Sequence, residues 1–440
     1  MSATAPIDRI AATHARLAPT LPGGPSWTRR RRRALTALLA RGLPDRRDEN
    51  WKYLDHARIA EYPFEALPRA AADAAVLAAR LLPIPGARRI VLADGKFRPD
   101  SSGSGATPGL EVVDLAAFIE REPEAALALL RAPGEDADDR YALLADAFAA
   151  GGVLIRVADG CELSEPLHLV HAATAAEAAV HQARVVVQAG RRSRLTLVEQ
   201  FLALGEAAAL GNLVADVALA DGASLTHLRL HQHTAAAAQI ETWTVRQGAG
   251  SRYEQHLLAL GGRLLRSSLH VELEGAGAAC RLDGLFLADG DRQVDLVTQV
   301  AHHGAATETL QDYRGIAAGR GRGAFNGRIV VRPTARGANA SQSSRNLLLT
   351  PLAEINARPQ LEILVDDVQC RHGATTGTLD AEQLFYLRSR GLDEPSARAV
   401  LTLAFCQDVI NRVPLAAVRA AAESLVAATL PGSGLIRGAA

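Results

Sequence analysis

The chain has 440 residues, too many for one ordinary hydrophobic core, so two or three structural units are expected. Its 48 basic and 48 acidic side chains cancel, which argues against a general nucleic-acid or anionic-membrane binder. No stretch approaches 18 continuous apolar residues, residues 1–6 do not start a secretion signal, and the four scattered cysteines form no Cys-x-x-Cys pair. A cytoplasmic protein with neither membrane span nor disulfide scaffold is expected.

Residues 1–150 alternate helical Ala/Leu/Arg stretches (70–81, 115–130 and 140–150) with short strand-like pieces such as 89–92. The run Arg29, Arg30, Arg31, Arg32 and Arg33 leads into Ala34 and Leu35 at helical period, and reads as the solvated start of an amphipathic helix. Nearly every other cation is also Arg. Lys52 and Lys96 are the only lysines, a compositional bias of the whole chain.

From 151 to 377 the texture becomes short β-type runs punctuated by glycine, beginning with 153–157, 184–188 and 194–198. Similar turns recur at Gly190, Gly222, Gly248 and Gly275, spaced by 32, 26 and 27 residues. Recurrence at that interval without intervening amphipathic helices predicts stacked strand units, a β-helix or related solenoid, with a β-sandwich as the rival. Glycine at these corners is expected to supply positive φ.

Residues 378–440 read as helical. Asp380 and Gln383 form a variant capping box for a helix over 381–390 that stops at Gly391. A second helix opens near Asp393 with Pro395 in its first turn and stops at Pro414, and a third spans 416–429.

Several groups could carry chemistry. Cys370 and His372, two apart at the end of an apolar strand, leave from one face about 6.5–7 Å apart along the chain. A soft sulfur and a nitrogen make half a site for iron, copper or zinc, and the remaining ligands must come from elsewhere in the fold or from another chain. His227, Arg229, His231 and His233 share one face of a strand whose other face carries Leu228 and Leu230. Three ligands on one straight strand do not converge on a single zinc, so a polar outer face over a leucine-lined core is expected there. His302 and His303 could line a groove or occupy a turn. Asp366 and Asp367, as strand neighbours, face opposite sides and cannot share a proton. There is no P-loop, Gly-x-Ser-x-Gly or His-Glu-x-x-His, and the glycine-rich stretch 319–323 precedes a strand rather than a helix.

One long motif runs Asn-Leu-Leu-Leu-Thr over 346–350, Ala-Glu-Ile over 353–355, Pro359, Leu-Glu-Ile over 361–363, Asp-Asp-Val over 366–368, Cys370, His-Gly-Ala-Thr over 372–375, Gly377 and Phe-Tyr-Leu-Arg-Ser-Arg-Gly over 385–391. In these residues the sequence resembles the SufB/SufD family of the Suf iron–sulfur cluster assembly machinery. Gly-Leu-Pro over 42–44, Arg-Asp-Glu over 47–49 and Trp-Lys-Tyr over 51–53 resemble the family's opening segment. That segment and the Gly-Ala-Thr-x-Gly ending favour the SufD branch over its SufB sister. The resemblance implies a right-handed parallel β-helix core flanked by helical N- and C-terminal regions, acting as a non-enzymatic scaffold. It further implies pairing with SufB through the end of the β-helix and binding of the SufC ATPase through the C-terminal helices. Phe385, Tyr386, Arg388, Arg390 and Phe405 are the candidate SufC contacts. A transient cluster would form at the SufB interface, with His372 from this chain, Cys370 its neighbour, and the thiolate and further ligands from SufB. Whether the isolated chain holds a cluster is left open by the sequence, and it could self-associate through the same surface. The family has a histidine near 302–303, but Gly304, Ala305, Ala306 and Thr307 depart from its Pro-containing pattern. A β-helix carbohydrate enzyme is the alternative of a different class. It would need carboxylates converging on an aromatic-lined groove, and this chain is only 4% aromatic.

Overall fold

The computed structural model describes residues 6–64, 74–103, 105, 107–130 and 139–429. From Val153 to Gly377 the chain winds a parallel β-solenoid of about eight coils, each giving one strand to each of two facing sheets. Ala238 lies opposite Leu210 on one side and Leu264 on the other, and Ser224 opposite Arg194 and Arg252. A coil takes from 26 residues (Ala238 to Leu264) to 32 (Arg322 to Glu354). Parallel in-register pairing of successive coils rules out the β-sandwich.

The corners explain the recurring glycines, with a correction. Gly190, Gly248, Gly275 and Gly304 do not have positive φ. They are small because the corners stack: a Cβ on Gly275 would strike the backbone of Ala249, and one on Gly304 the backbone of Gly275. Positive φ falls two residues later, at Arg192, Gly222, Gly250, Gly277, Ala306 and Gly337. There each amide donates to the next coil, as from Gly250 N to Ala276 O (2.9 Å) and from Gly277 N to Ala305 O (2.9 Å). Gly222 thus belongs to the second set, which is why the glycine spacing looked uneven.

The two ends differ. At the start, the strand Arg88–Ala93 pairs in parallel with Leu167–Ala173 and turns back onto Lys96–Phe97, while Leu110–Asp114 pairs antiparallel with Val153–Val157. The N-terminal region therefore caps the first coil. At the other end, Glu354–Ile363 and Val368–Gly377 are the last strands of their sheets, uncovered among the described residues.

In the N-terminal region the helix expected over 115–130 is two helices, Leu115–Arg121 and Pro123–Leu129, because Pro123 cannot donate to the first and opens the second. Helix Arg140–Ala147 lies within the expected 140–150. Of 70–81, residues 70–73 lie outside the described residues and Ala74–Ala78 is helical. The basic run sits inside helix Gly24–Arg41, which ends at Gly42 with φ of 72°. It is not simply solvated. Arg31 is buried and donates to Ala149 O (2.8 Å) and Pro22 O (2.6 Å), and Arg30 pairs with Asp146 (2.7 Å).

The C-terminal helices are Ala381–Ser389, Glu394–Ile410 and Ala416–Thr429. Cys406, Val409, Ile410, Val418 and Ala422 lie over Leu228, Leu230, Leu258 and Leu285, the outward face of one sheet. Ion pairs from Arg412 to Asp283 (3.1 Å) and Asp312 (2.7 Å), and from Arg314 to Asp408 (2.5 Å), fix the helices there.

Candidate interface and metal-ligand site

Cys370 and His372 lie on the terminal strand Val368–Gly377, which pairs only with Ala338–Leu348 among the described residues. Cys370 stands opposite Ala340 and packs between the sheets with Ile329, Val331, Ala338 and Ala340. It therefore points inward, and His372, two residues on, shares that face. His372 is nevertheless exposed, because no further coil lies over it, and its ring makes no hydrogen bond among the described residues. Burial pushes the Cys370 thiol above its ordinary range, with the Ala340 backbone pulling the other way. Cys370 is thus a protonated thiol, while the His372 ring is exposed beside it. The half-site expected from the sequence exists as a pair on one uncovered inward face.

Behind His372 runs a short polar column. His372 is in register with Gln342, and Gln342 with Gln311. Gln342 Nε2 donates to Gln311 Oε1 (3.2 Å), as does Thr298 Oγ1 (2.9 Å). Gln342 Oε1 and Gln311 Nε2, both buried, have no partner among the described residues. In the next coil the column is interrupted by Leu282.

The second patch adjoins this end in sequence. Asp380 accepts from the amides of Glu382 (2.8 Å) and Gln383 (3.0 Å) to start helix Ala381–Ser389, and Gly391 (φ 95°) follows its end. No side chain of that helix is buried. Phe385 is 73% and Tyr386 56% exposed, with Arg390 over the Tyr386 ring (5.2 Å) and Arg388 beside Glu394 (3.7 Å). Four of the five expected partner contacts thus belong to one exposed patch. Phe405 does not. It is half-buried against the solenoid under the Arg314 guanidinium (5.1 Å), which donates to Phe405 O (2.5 Å).

The histidine strand is inverted relative to expectation. His227, Arg229 and His231 are wholly buried between the sheets, and Leu228 and Leu230 face outward beneath the C-terminal helices. The polar face is possible inside because it has partners. Glu199 accepts from His171 (2.9 Å) and His227 (3.1 Å), and Arg229 lies 3.6 Å from Glu199 and is paired to Glu241. Burial alone would raise the Glu199 carboxyl, but the His171 and His227 hydrogen bonds hold it at about 2. Burial lowers His227, which stays neutral. With its Nε2 donating to Glu199, its Nδ1 accepts from Tyr253 Oη at 2.9 Å. His231 and His171 stack on either face of Phe201 (4.1 and 4.3 Å). No pattern on the single strand reveals Glu199 or Glu241. The coil period reveals Glu199, which stands 30 residues before Arg229 and is in register with it, but not Glu241, which comes from the facing sheet.

The remaining candidates take structural places. His302 is buried and bonded to Thr307 (2.8 Å) and Thr309 (2.9 Å), while His303 pairs with Glu272 (2.7 Å). Asp366 and Asp367 lie in the bend before Val368–Gly377 rather than in a strand, and Asp367 O accepts from Gly337 N.

A parallel β-solenoid helically covered on one flank, with an uncovered terminal coil presenting thiol and imidazole, defines the class of protein. The family described as "SUF system FeS cluster assembly, SufBD core domain" matches residues 171–405, more than half of the chain, and the chain belongs to that family. Within it the chain is SufD-like. It is 27% identical over 406 residues to the iron–sulfur cluster assembly protein SufD of Escherichia coli, covering 90% of this chain and 92% of that protein. It is also 27% identical over 386 residues to a SufBD family protein of Synechocystis (86% and 85% covered). Identity to the chloroplastic protein ABCI7 of Arabidopsis thaliana is 31% over 283 residues (62% and 59%). Among the described residues no helix is long and apolar enough to cross a membrane.

Proposed function

We propose that this chain is a non-enzymatic, cytoplasmic scaffold subunit of a Suf assembly complex. It pairs with SufB through the uncovered terminal coil, and the nascent iron–sulfur cluster is the cargo built across that joint. His372 supplies one ligand from this side. Cys370, protonated in the free chain, becomes a ligand only once iron displaces its proton, and the remaining ligands come from SufB. SufC binds the exposed face of helix Ala381–Ser389, and its ATP hydrolysis acts on the joint through the neighbouring C-terminal helices. The observation that carries this reading is an exposed imidazole, without a partner among the described residues, on the inward face of a coil whose strand edges lack a next strand among those residues. Such edges ask for a partner, because unpaired backbone groups template pairing with another chain.

The test is co-expression with SufB and SufC from the same organism, comparing wild type with His372→Ala. Complex assembly is read by size exclusion, and iron and sulfide content is measured anaerobically. The expected result is an intact complex that has lost its cluster. Unchanged iron and sulfide would make His372 structural and this subunit purely architectural.

A further inference from the structure

At the end of the solenoid away from His372, the N-terminal helices and the first coil enclose a cavity of about 620 Å³. That is within the range that takes a small organic ligand. Its wall is largely apolar, with Ile10 and Leu17 from helix Pro6–Leu17, Phe64, Leu144, Phe148 and Val180. Its charged lining is uneven. Asp94 is consumed by Thr174, accepting from its amide (2.8 Å) and hydroxyl (2.5 Å), and Asp114 accepts from Ala116 N (2.9 Å). Glu120 lies in the field of the Arg31 guanidinium. The two cations of the lining, Lys96 and Arg98, have no acceptor for their side chains among the described residues.

Lys96 is placed there by the backbone. Asp94 and Gly95 both have positive φ (49° and 79°), as a two-residue Asp-Gly hairpin requires. Gly95 abuts the carbonyl of Gln182 so closely that a Cβ would clash. The turn is thereby fixed against the first coil, with Lys96 exposed where the cavity meets solvent. In a chain with only two lysines, one pairs with a neighbouring carboxylate, Lys52 with Glu49 (2.8 Å), and the other stands at this opening without one among the described residues.

We propose that this cavity binds an amphipathic organic anion, an acyl-like apolar body in the pocket with a single carboxylate at Lys96 and Arg98. The apolar wall matches the body, and Lys96 and Arg98, whose side chains have no acceptor among the described residues, are the donors left for an anionic head group, whereas Asp94 and Asp114 already accept from Thr174 and Ala116. A compact ammonium serves as a point-charge partner for either carboxylate oxygen.

The full-length chain is titrated with decanoate, read by calorimetry and by displacement of 8-anilinonaphthalene-1-sulfonate fluorescence. Decylammonium (same body, opposite head) and acetate (head without body) are the comparison ligands. Saturable binding of decanoate, at about one per chain, is expected, and of neither comparison ligand. Lys96→Glu removes the charge. Ala117→Trp fills the pocket from an exposed helix position that lines it. Each weakens decanoate binding about tenfold or more, the scale of one charge-assisted contact or one lost apolar subsite. Lys52→Glu, the same change at the other lysine, leaves binding as in wild type. Absence of saturable decanoate binding overturns the proposal, as does equal binding of decylammonium. So does a Lys52→Glu loss as large as that of Lys96→Glu, or undiminished binding in Ala117→Trp. Unchanged melting of the variants shows that they remain folded.

Discussion

Arg229 shows how a single residue is specified by its surroundings. Its guanidinium is wholly buried between Glu199 and Glu241 and lies over the Trp243 ring at 4.6 Å. Two carboxylates depend on one cation, with His171, His227 and His231 adding hydrogen bonds or ring contacts around them. Replacing Arg229 with Leu keeps much of the volume but leaves both acids buried without their counter-ion. The expected cost is about 3–5 kcal/mol by chemical denaturation, since a broken buried pair retains its desolvation penalty. Adding Glu199→Gln and Glu241→Gln to Arg229→Leu should recover part of that loss. A single-mutant cost under about 1 kcal/mol would mean that water already solvates the network. At this scale the sequence is deceptive, because a His/Arg face alternating with leucine gives the same pattern whichever face is inside.

Among the elements, helix Ala381–Ser389 is the least explained by the fold of this chain alone. Capping by Asp380 accounts for its start, yet none of its side chains is buried and its two aromatics face solvent. Burial of an exposed aromatic pair is a common source of binding energy at an interface. Phe385→Ala with Tyr386→Ala should therefore weaken SufC binding by about tenfold or more in a pull-down or calorimetric titration, while leaving the melting temperature of this chain unchanged. Unaltered SufC affinity would move the contact off this helix. The neighbouring helix Glu394–Ile410 is different in kind, with one side laid on Leu228, Leu230 and Leu258 and Phe405 held half-buried under Arg314. The sequence marked both helices by their caps, Asp380 and Asp393. Which face each presents depends on the solenoid surface beneath them.

For the whole molecule, stability should depend on pH in a definite direction. His168 and His302 are buried, and burial lowers each from 6.5 to about 4, against a Gln200 hydrogen bond at His168 and reinforced by His303 at His302. The native state therefore refuses protons that the unfolded chain accepts. Stability is full above about 6.5 and is lost as pH falls from there towards 4. Glu199, held at about 2 against an ordinary 4.5, adds a second loss in the same direction between those values. Thermal melts across this range should show the melting temperature falling below about pH 6.5 and more steeply below 4.5. A flat profile from pH 7 to 5 would mean that the buried histidines are already solvated or charged.

The sequence by itself determined the periodic part of this protein. Glycine recurrence predicted the solenoid because every coil must turn corners that stack closely on the last, and strand and helix boundaries such as 153–157 and 416–429 follow from alternation and from proline stops. The Cys370 and His372 pairing on one face also follows from strand geometry alone. Tertiary structure decided what periodicity leaves symmetric. It set which face of the strand Ser224–Gln232 turns inward, because Glu199 and Glu241 arrive from other strands and the C-terminal helices cover the leucines. It closed one end of the solenoid with N-terminal strands and left the other uncovered among the described residues, so that a histidine on an inward face is exposed. Inside and outside are properties of the assembled coils, and a single strand does not encode them.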